Sequence, residues 1–277
     1  MGGSRTRMDE YTETNRRRWN EVTPIHAASE FYDLAGFRAG KSSLRPIELE
    51  ELGDVRGKLL LHLQCHFGLD TLSWARLGAR VTGIDFSEEA IALATSLVSE
   101  LRIDARFVCC ELYDLPCRLD GTFDIVFTSY GVLAWLQDLR KWAEIIAQFL
   151  RPGGTFYMVE MHPWADIFDE ARDASELRVA YSYCPSLKPL VFDEPTTYGD
   201  RSKTVVNTRS YEWAHTLEEI VTSLAQAGLR IESLHEFPYC IYAKFPFLRQ
   251  REDGWWRLPE TSVQVPLMFS LKAAKAT

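Results

Sequence analysis

Through the middle of the chain, apolar runs of strand length alternate with longer segments whose apolar residues recur at helical spacing, and glycine marks several of the joins. Lys58 to Leu63, Ala79 to Asp85, Ala105 to Glu111, Phe123 to Tyr130 and TFYMVEMH (155–162) read as five strands. Between the first two, a helix begins near Asp70 and carries Leu72, Ala75 and Leu77 inward until Gly78 ends it. EAIALATSLVSEL follows with Ser87 as its N-cap and two glutamates in its first turn, and DLRKWAEIIAQFL stops where Pro152 and Gly153 break it. Strands and helices in such alternation predict βαβ units and a parallel sheet covered on both faces.

From Pro163 to about Thr208 the periodicity fails, and prolines, tyrosines and charges crowd together as in an inserted cap. Order returns with RSYEWAH as a strand, HTLEEIVTSLAQAGL as a helix closed by Gly228, RIESLHEF as a strand and PLMFSLKAAK as the last strand. Residues 1–55 read as a helical lid anchored by Trp19, Phe31, Tyr32 and Phe37, ahead of a core domain at 56–277 that carries the cap at 163–210. The first seven residues read as an added leader, with Met8 as the natural start.

With 277 residues, 46% of them hydrophobic and 25% charged, the chain can bury a sizeable core. Apolar runs such as 145–150 fall far short of the roughly 20 residues that span a bilayer, and the polar N-terminus has no signal-peptide core, so no membrane contact and a cytoplasmic location are expected. The six cysteines lack C-x-x-C spacing and read as reduced thiols. A net charge of -8 disfavours nucleic acid as partner and favours a small molecule, with the chain as a monomer or homodimer.

The stretch LLHLQCHFGLD (60–70) runs from strand one into the first helix, where ligands lie in open α/β sheets. A dehydrogenase would need G-x-G-x-x-G for its pyrophosphate; only Gly68 is present, while Gln64, His66 and Phe67 occupy neighbouring positions. Asp85, closing strand two, can accept hydrogen bonds from ribose hydroxyls. In order and spacing, LLHLQCHFGLDT, VTGIDFS, RFVCCELYDLP, FDIVFTSYGVLAWL and LRPGGTFYMVE resemble the motifs of class I S-adenosylmethionine-dependent methyltransferases over roughly residues 57–160.

The resemblance implies a Rossmann-like α/β fold, with a seven-stranded, mostly parallel sheet whose last strand is antiparallel. It also implies S-adenosylmethionine as cofactor, ribose contact by Asp85 beside Phe86, adenine contact at Glu111 and Leu112, and loop contacts from Gln64, His66 and Gly68. Trp19 and Tyr32 would close over the cofactor. The family's D-x-G-x-G-x-G appears as H-x-Q-x-H-x-G, the one feature that supports a non-catalytic binding module instead. No metal is expected, because His62 and Cys65 leave the strand on different faces and His62 reads better as a core histidine.

A sulfonium-activated methyl group leaves the protein mainly the work of positioning, with a base needed only where the acceptor must lose a proton. Glu160 and His162 close strand five on one face and are the first candidates for base and partner; alternatively Glu160 bonds a backbone loop and His162 caps the turn before Pro163. Tyr130 either borders the transfer site or packs beneath the lid. Trp213, with Tyr211 and His215, forms either core or an aromatic cavity wall that shelters positive charge. The aromatic cap suits a hydrophobic or planar acceptor for O-, N- or C-methylation. One specific version is an alkene carbon of a prenyl diphosphate, its anion held by Arg201, Lys203, Arg209, Arg38 and Lys41 unless these are simply a solvated face.

Overall fold

In the computed structural model, which describes residues 9–186 and 188–277, the N-terminal segment forms helices α1 (Glu10–Ala27), α2 (Leu34–Arg38) and α3 (Pro46–Leu52). Met8, the expected start, lies outside the described residues. There follow β1 (Leu59–His62), α4 (Leu69–Arg76), β2 (Arg80–Asp85), α5 (Glu88–Leu101), β3 (Ala105–Cys109), β4 (Phe123–Ser129), α6 (Leu139–Phe149) and β5 (Leu150–Met161). The chain continues through β6 (Leu190–Asp193), β7 (Arg209–Glu212), α7 (Leu217–Gln226), β8 (Leu229–Phe237), β9 (Tyr239–Cys240), β10 (Arg249–Gln250) and β11 (Trp256–Arg257) to β12 (Met268–Lys275).

Three core helices start where a short polar side chain accepts an otherwise orphaned N–H: Ser87 from Ala90, Asp138 from Lys141 and Thr216 from Glu219. Seven strands pair in the order β3-β2-β1-β4-β5-β12-β8, parallel from β3 through β5, with β12 antiparallel to both its neighbours. This is the predicted Rossmann-like sheet. Consecutive residues of β5 serve opposite layers: Phe156 packs with Trp142 and Leu224 beneath α6 and α7, while Tyr157 packs with Trp74 and Phe127 on the α4 side.

One expected strand is corrected. Only Arg209–Glu212 of RSYEWAH is extended, and it pairs with β6 in the cap rather than joining the main sheet. Its backbone groups go elsewhere: the Asn15 side chain donates to the Tyr211 carbonyl and accepts from its N–H, and the Trp213 N–H donates to the Ala134 carbonyl. A small sheet, β10-β11-β9, also forms where the sequence showed only an aromatic tail.

Helix α1 and the cap are bound together. The Arg18 guanidinium donates to the carbonyls of Glu194, Thr196, Asn207 and Thr208, and the Glu21 carboxylate accepts the N–H groups of Val206 and Asn207. The two form a single roof above the carboxyl edge of the sheet.

Candidate active site

Beneath the roof lies a cavity of about 1100 Å³, lined by residues at the carboxyl ends of β1, β2, β4 and β5 together with the roof. Its floor answers the question raised by the altered glycine loop. Gln64, His66 and Gly68 have φ of 53°, 50° and 79°, so the three positions where the family pattern carries glycine are all left-handed here, although two of them bear side chains. Such a residue costs roughly 1–2 kcal/mol, and the surroundings hold it in place. The His66 N–H donates to Asp85 Oδ2 at 2.8 Å, the Cys65 N–H to the Ile84 carbonyl at 2.8 Å, and Gln64 Nε2 to the Val132 carbonyl at 3.0 Å. Gly68 cannot be replaced so easily, because a Cβ there would stand 2.5 Å from the Phe107 ring.

Every residue assigned to the cofactor lines this one cavity: Trp19, Tyr32, Gln64, His66, Gly68, Asp85, Phe86, Glu111 and Leu112. Asp85 accepts one backbone N–H on each oxygen, from Ser87 and His66, and burial pushes its carboxyl up to about 6 against the pull of those bonds. Glu111 accepts the Tyr113 N–H at 2.7 Å through one oxygen, and burial lifts it to about 7. Three buried polar atoms on cavity-lining residues have no partner among the described residues: Gln64 Oε1, His66 Nδ1 and His62 Nε2. These atoms, the remaining lone pairs of Asp85 and the second oxygen of Glu111 fit a nucleoside with a polar amino-acid tail. His62 is buried, bonded through Nδ1 to Thr71 and edge-on to Phe127.

The catalytic candidates separate. Glu160 borders the cavity, yet its oxygens accept four backbone N–H groups: Gly131 and Met161 on Oε1, Val132 and Leu133 on Oε2. A carboxylate has about four lone-pair sites, so none is left for an acceptor's proton. The general-base expectation gives way to a clamp on the loop after β4. His162 does not line the cavity; it is buried against Phe269, accepts the Trp164 N–H at Nδ1 and pairs through Nε2 with Glu236 at 2.8 Å, a turn cap rather than a partner of Glu160. Trp213 lines the cavity beside Tyr11, whereas His215 is held by Leu136 and Glu219.

Tyr130 also lines the cavity and points its hydroxyl at Glu48 Oε2, 2.9 Å away. The sequence had not singled out Glu48; only an acidic residue on the apolar face of a short helix could have flagged it. Asp70, whose oxygens accept from the Ser43 and Ser129 hydroxyls, and His26, bonded between His66 and Thr197, also went unnoticed. So did buried Lys244, which pairs with Asp166 and Glu170 at the cap end of the cavity near Glu212.

Residues 61–158 match the methyltransferase domain family. A ubiquinone biosynthesis O-methyltransferase of Xanthomonas oryzae is 32% identical over 136 residues, 47% of this chain and 56% of that protein. The chain thus spans about half the length of the curated relatives it matches. Among solved structures, an S-adenosylmethionine dependent methyltransferase from Mesorhizobium loti aligns with a TM-score of 0.60 at 18% identity, over 86% of this chain and 100% of that one. A glycopeptide N-methyltransferase aligns at 0.52 and 18%, over 82% and 86%. At these identities the structures speak for the fold. Residues 61–158 are thus similar to methyltransferase domains, and the sheet around them has the fold of S-adenosylmethionine-dependent methyltransferases.

Proposed function

We propose that the chain transfers the methyl group of S-adenosylmethionine to a small acceptor enclosed between roof and sheet. The observation that carries this is the convergence on one cavity of Asp85, Glu111 and a left-handed 64–68 loop whose buried polar atoms lack partners. When bound, the cofactor supplies a methyl group already activated by its sulfonium. The chain's residues do the rest: Asp85 accepts from ribose hydroxyls, Glu111 and Leu112 border the adenine, and Trp19 and Tyr32 exclude water from above, where fixed orientation is worth most. Because the loop keeps its left-handed backbone with Gln64 and His66 in place of two glycines, the feature that favoured a non-catalytic module loses its force.

An oxygen or nitrogen acceptor fits better than an anionic prenyl diphosphate. Of the five cations named for the diphosphate, Arg38, Lys41 and Arg209 are exposed and paired, with Glu100, Asp33 and Asp193, and Arg201 alone lines the cavity, whose cap end carries three carboxyls, Asp166, Glu170 and Glu212, against Lys244. The ubiquinone biosynthesis O-methyltransferase to which the chain is similar supports an oxygen acceptor. A soluble cytoplasmic enzyme, monomer or homodimer, is the accompanying proposal; among the described residues no helix is long and apolar enough to cross a membrane.

Calorimetric titration with S-adenosylhomocysteine tests the reading. Saturable binding that Asp85→Ala weakens at least tenfold is expected, whereas no binding by folded wild type would refute it.

A further inference from the structure

Tyr130 occupies a defined place relative to the cofactor. Glu111 follows β3 and Asp85 closes β2, so in the order β3-β2-β1-β4 a cofactor laid from adenine to ribose carries its sulfonium end over β1 and β4. Tyr130 is the residue directly after β4. Its backbone is left-handed at φ 37°, its N–H donates to the Val159 carbonyl at 2.8 Å, and the Glu160 clamp fixes the three residues that follow. A strained backbone held from both sides aims the ring.

The group behind it is unusual. Glu48 is fully buried, and among the described residues no cation pairs with its carboxylate; Oε1 accepts the Arg45 N–H at 3.1 Å and Oε2 accepts the Tyr130 hydroxyl. Burying an ionised carboxylate without a counter-charge is costly. Its own role in capping α3 does not need the Tyr130 bond. The groups facing it are Tyr130 after β4, Asp70 from α4, Tyr157 on β5 and its own neighbours Arg45 and Glu51. Burial, then Asp70, pushes Glu48 up to about 7, where a carboxylate can both take up and release a proton near neutral pH. Tyr130 is pushed well above its ordinary value by burial and by Glu48, so it passes a proton on rather than ionising alone.

We infer that Tyr130 and Glu48 form a proton relay for methyl transfer to an uncharged acceptor bearing an O–H or N–H, with Tyr130 touching the acceptor and Glu48 acting through it. The inference rests on the methyl-transfer reading. As the acceptor atom bonds to the methyl carbon, the carbon–sulfur bond breaks and its electron pair stays on sulfur. The proton leaving the acceptor passes to Tyr130 Oη while the Tyr130 proton passes to Glu48 Oε2. The neutral Glu48 then returns its proton to water by the same route once product leaves.

The test uses the full chain as wild type, Tyr130→Phe and Glu48→Gln. S-adenosylhomocysteine calorimetry comes first; equal binding by all three shows folded proteins and separates this question from the cofactor reading. Single-turnover transfer from S-adenosylmethionine to catechol and to aniline, both uncharged across the range, is then followed from about pH 5.5 to 8.5. The relay predicts transfer by the wild type to at least one probe, with a rate that falls below about pH 7 as Glu48 protonates. It also predicts a loss of about 100-fold or more in both variants, with that acid limb absent in Glu48→Gln. Variant rates within about threefold of wild type on the same pH profile would overturn the inference, as would transfer to neither probe by an enzyme that binds S-adenosylhomocysteine. Should Glu48→Gln fail to fold, Tyr130→Phe alone decides.

Discussion

Glu160 shows how little a side chain's position reveals until its hydrogen bonds are counted. The sequence places it at the end of a strand, facing a site, where a general base would stand, but four N–H donors converge on its two oxygens. Burial pushes its carboxyl up while those bonds pull it down, and the balance serves to fix residues 131–133. Glu160→Gln turns an NH2 group toward backbone donors, so it should destabilise the fold by roughly 1–3 kcal/mol, measurable as an earlier urea midpoint; a base role would leave that midpoint unchanged. The placement of Asp85 and Glu111 at the cavity was legible because one closes β2 and the other follows β3, each within a recognisable motif. The backbone-loop alternative for Glu160 could also be read; Glu48 and His26 could not, since their partners Tyr130 and Thr197 lie far away along the chain and meet them only through the tertiary fold.

At the level of elements, periodicity and caps located the strands and helices of the sheet domain within a few residues, because buried parallel strands and capped amphipathic helices obey local rules. RSYEWAH escaped those rules: its alternation is real, but Asn15 of α1 competes for the backbone of Tyr211, and a single sequence does not show that competition. The same helix supplies Arg18, whose bonds to four cap carbonyls take the place of a sheet ladder for residues 194–208. Its long stem and planar head satisfy groups that would otherwise face a partly buried seam. Arg18→Ala should therefore free the cap without melting the core: limited proteolysis is expected to cut near residues 194–208 much faster, while the unfolding midpoint of the sheet domain moves little. An unchanged cleavage pattern would show that β6, β7 and Glu21 hold the cap without it.

Across the whole molecule, three separate parts meet at His26. Its Nδ1 stands 3.1 Å from His66 Nε2 in the 64–68 loop and its Nε2 2.5 Å from Thr197 Oγ1 in the cap, while His26 itself belongs to α1. Burial favours the neutral form of both rings. Burial, helped by Arg18, lowers His26 to about 3, and burial with His26 nearby lowers His66 well below its usual range. A histidine whose folded pKa lies below its unfolded value leaves the unfolded chain binding more protons between the two, so stability falls as pH drops from about 6.5 towards 3. The raised carboxyls, Asp85 near 6 with Glu48, Glu111 and Glu212 near 7, act with the opposite sign: the folded state takes up their protons first, which adds stability on acidification. A bare stability–pH curve mixes the two, but a difference between proteins removes the carboxyl part. Wild type should be more stable than His26→Asn at pH 7.5, where the neutral ring joins loop, helix and cap, and that margin should shrink steadily between about pH 6.5 and 4.5 as closing the roof comes to require stripping a proton from the ring. Thermal midpoints of the two proteins across that range measure it. A margin that stays constant with pH would mean that His26 is charged or solvated in the folded protein, and that the roof is held by Arg18 and Glu21 without the histidine pair.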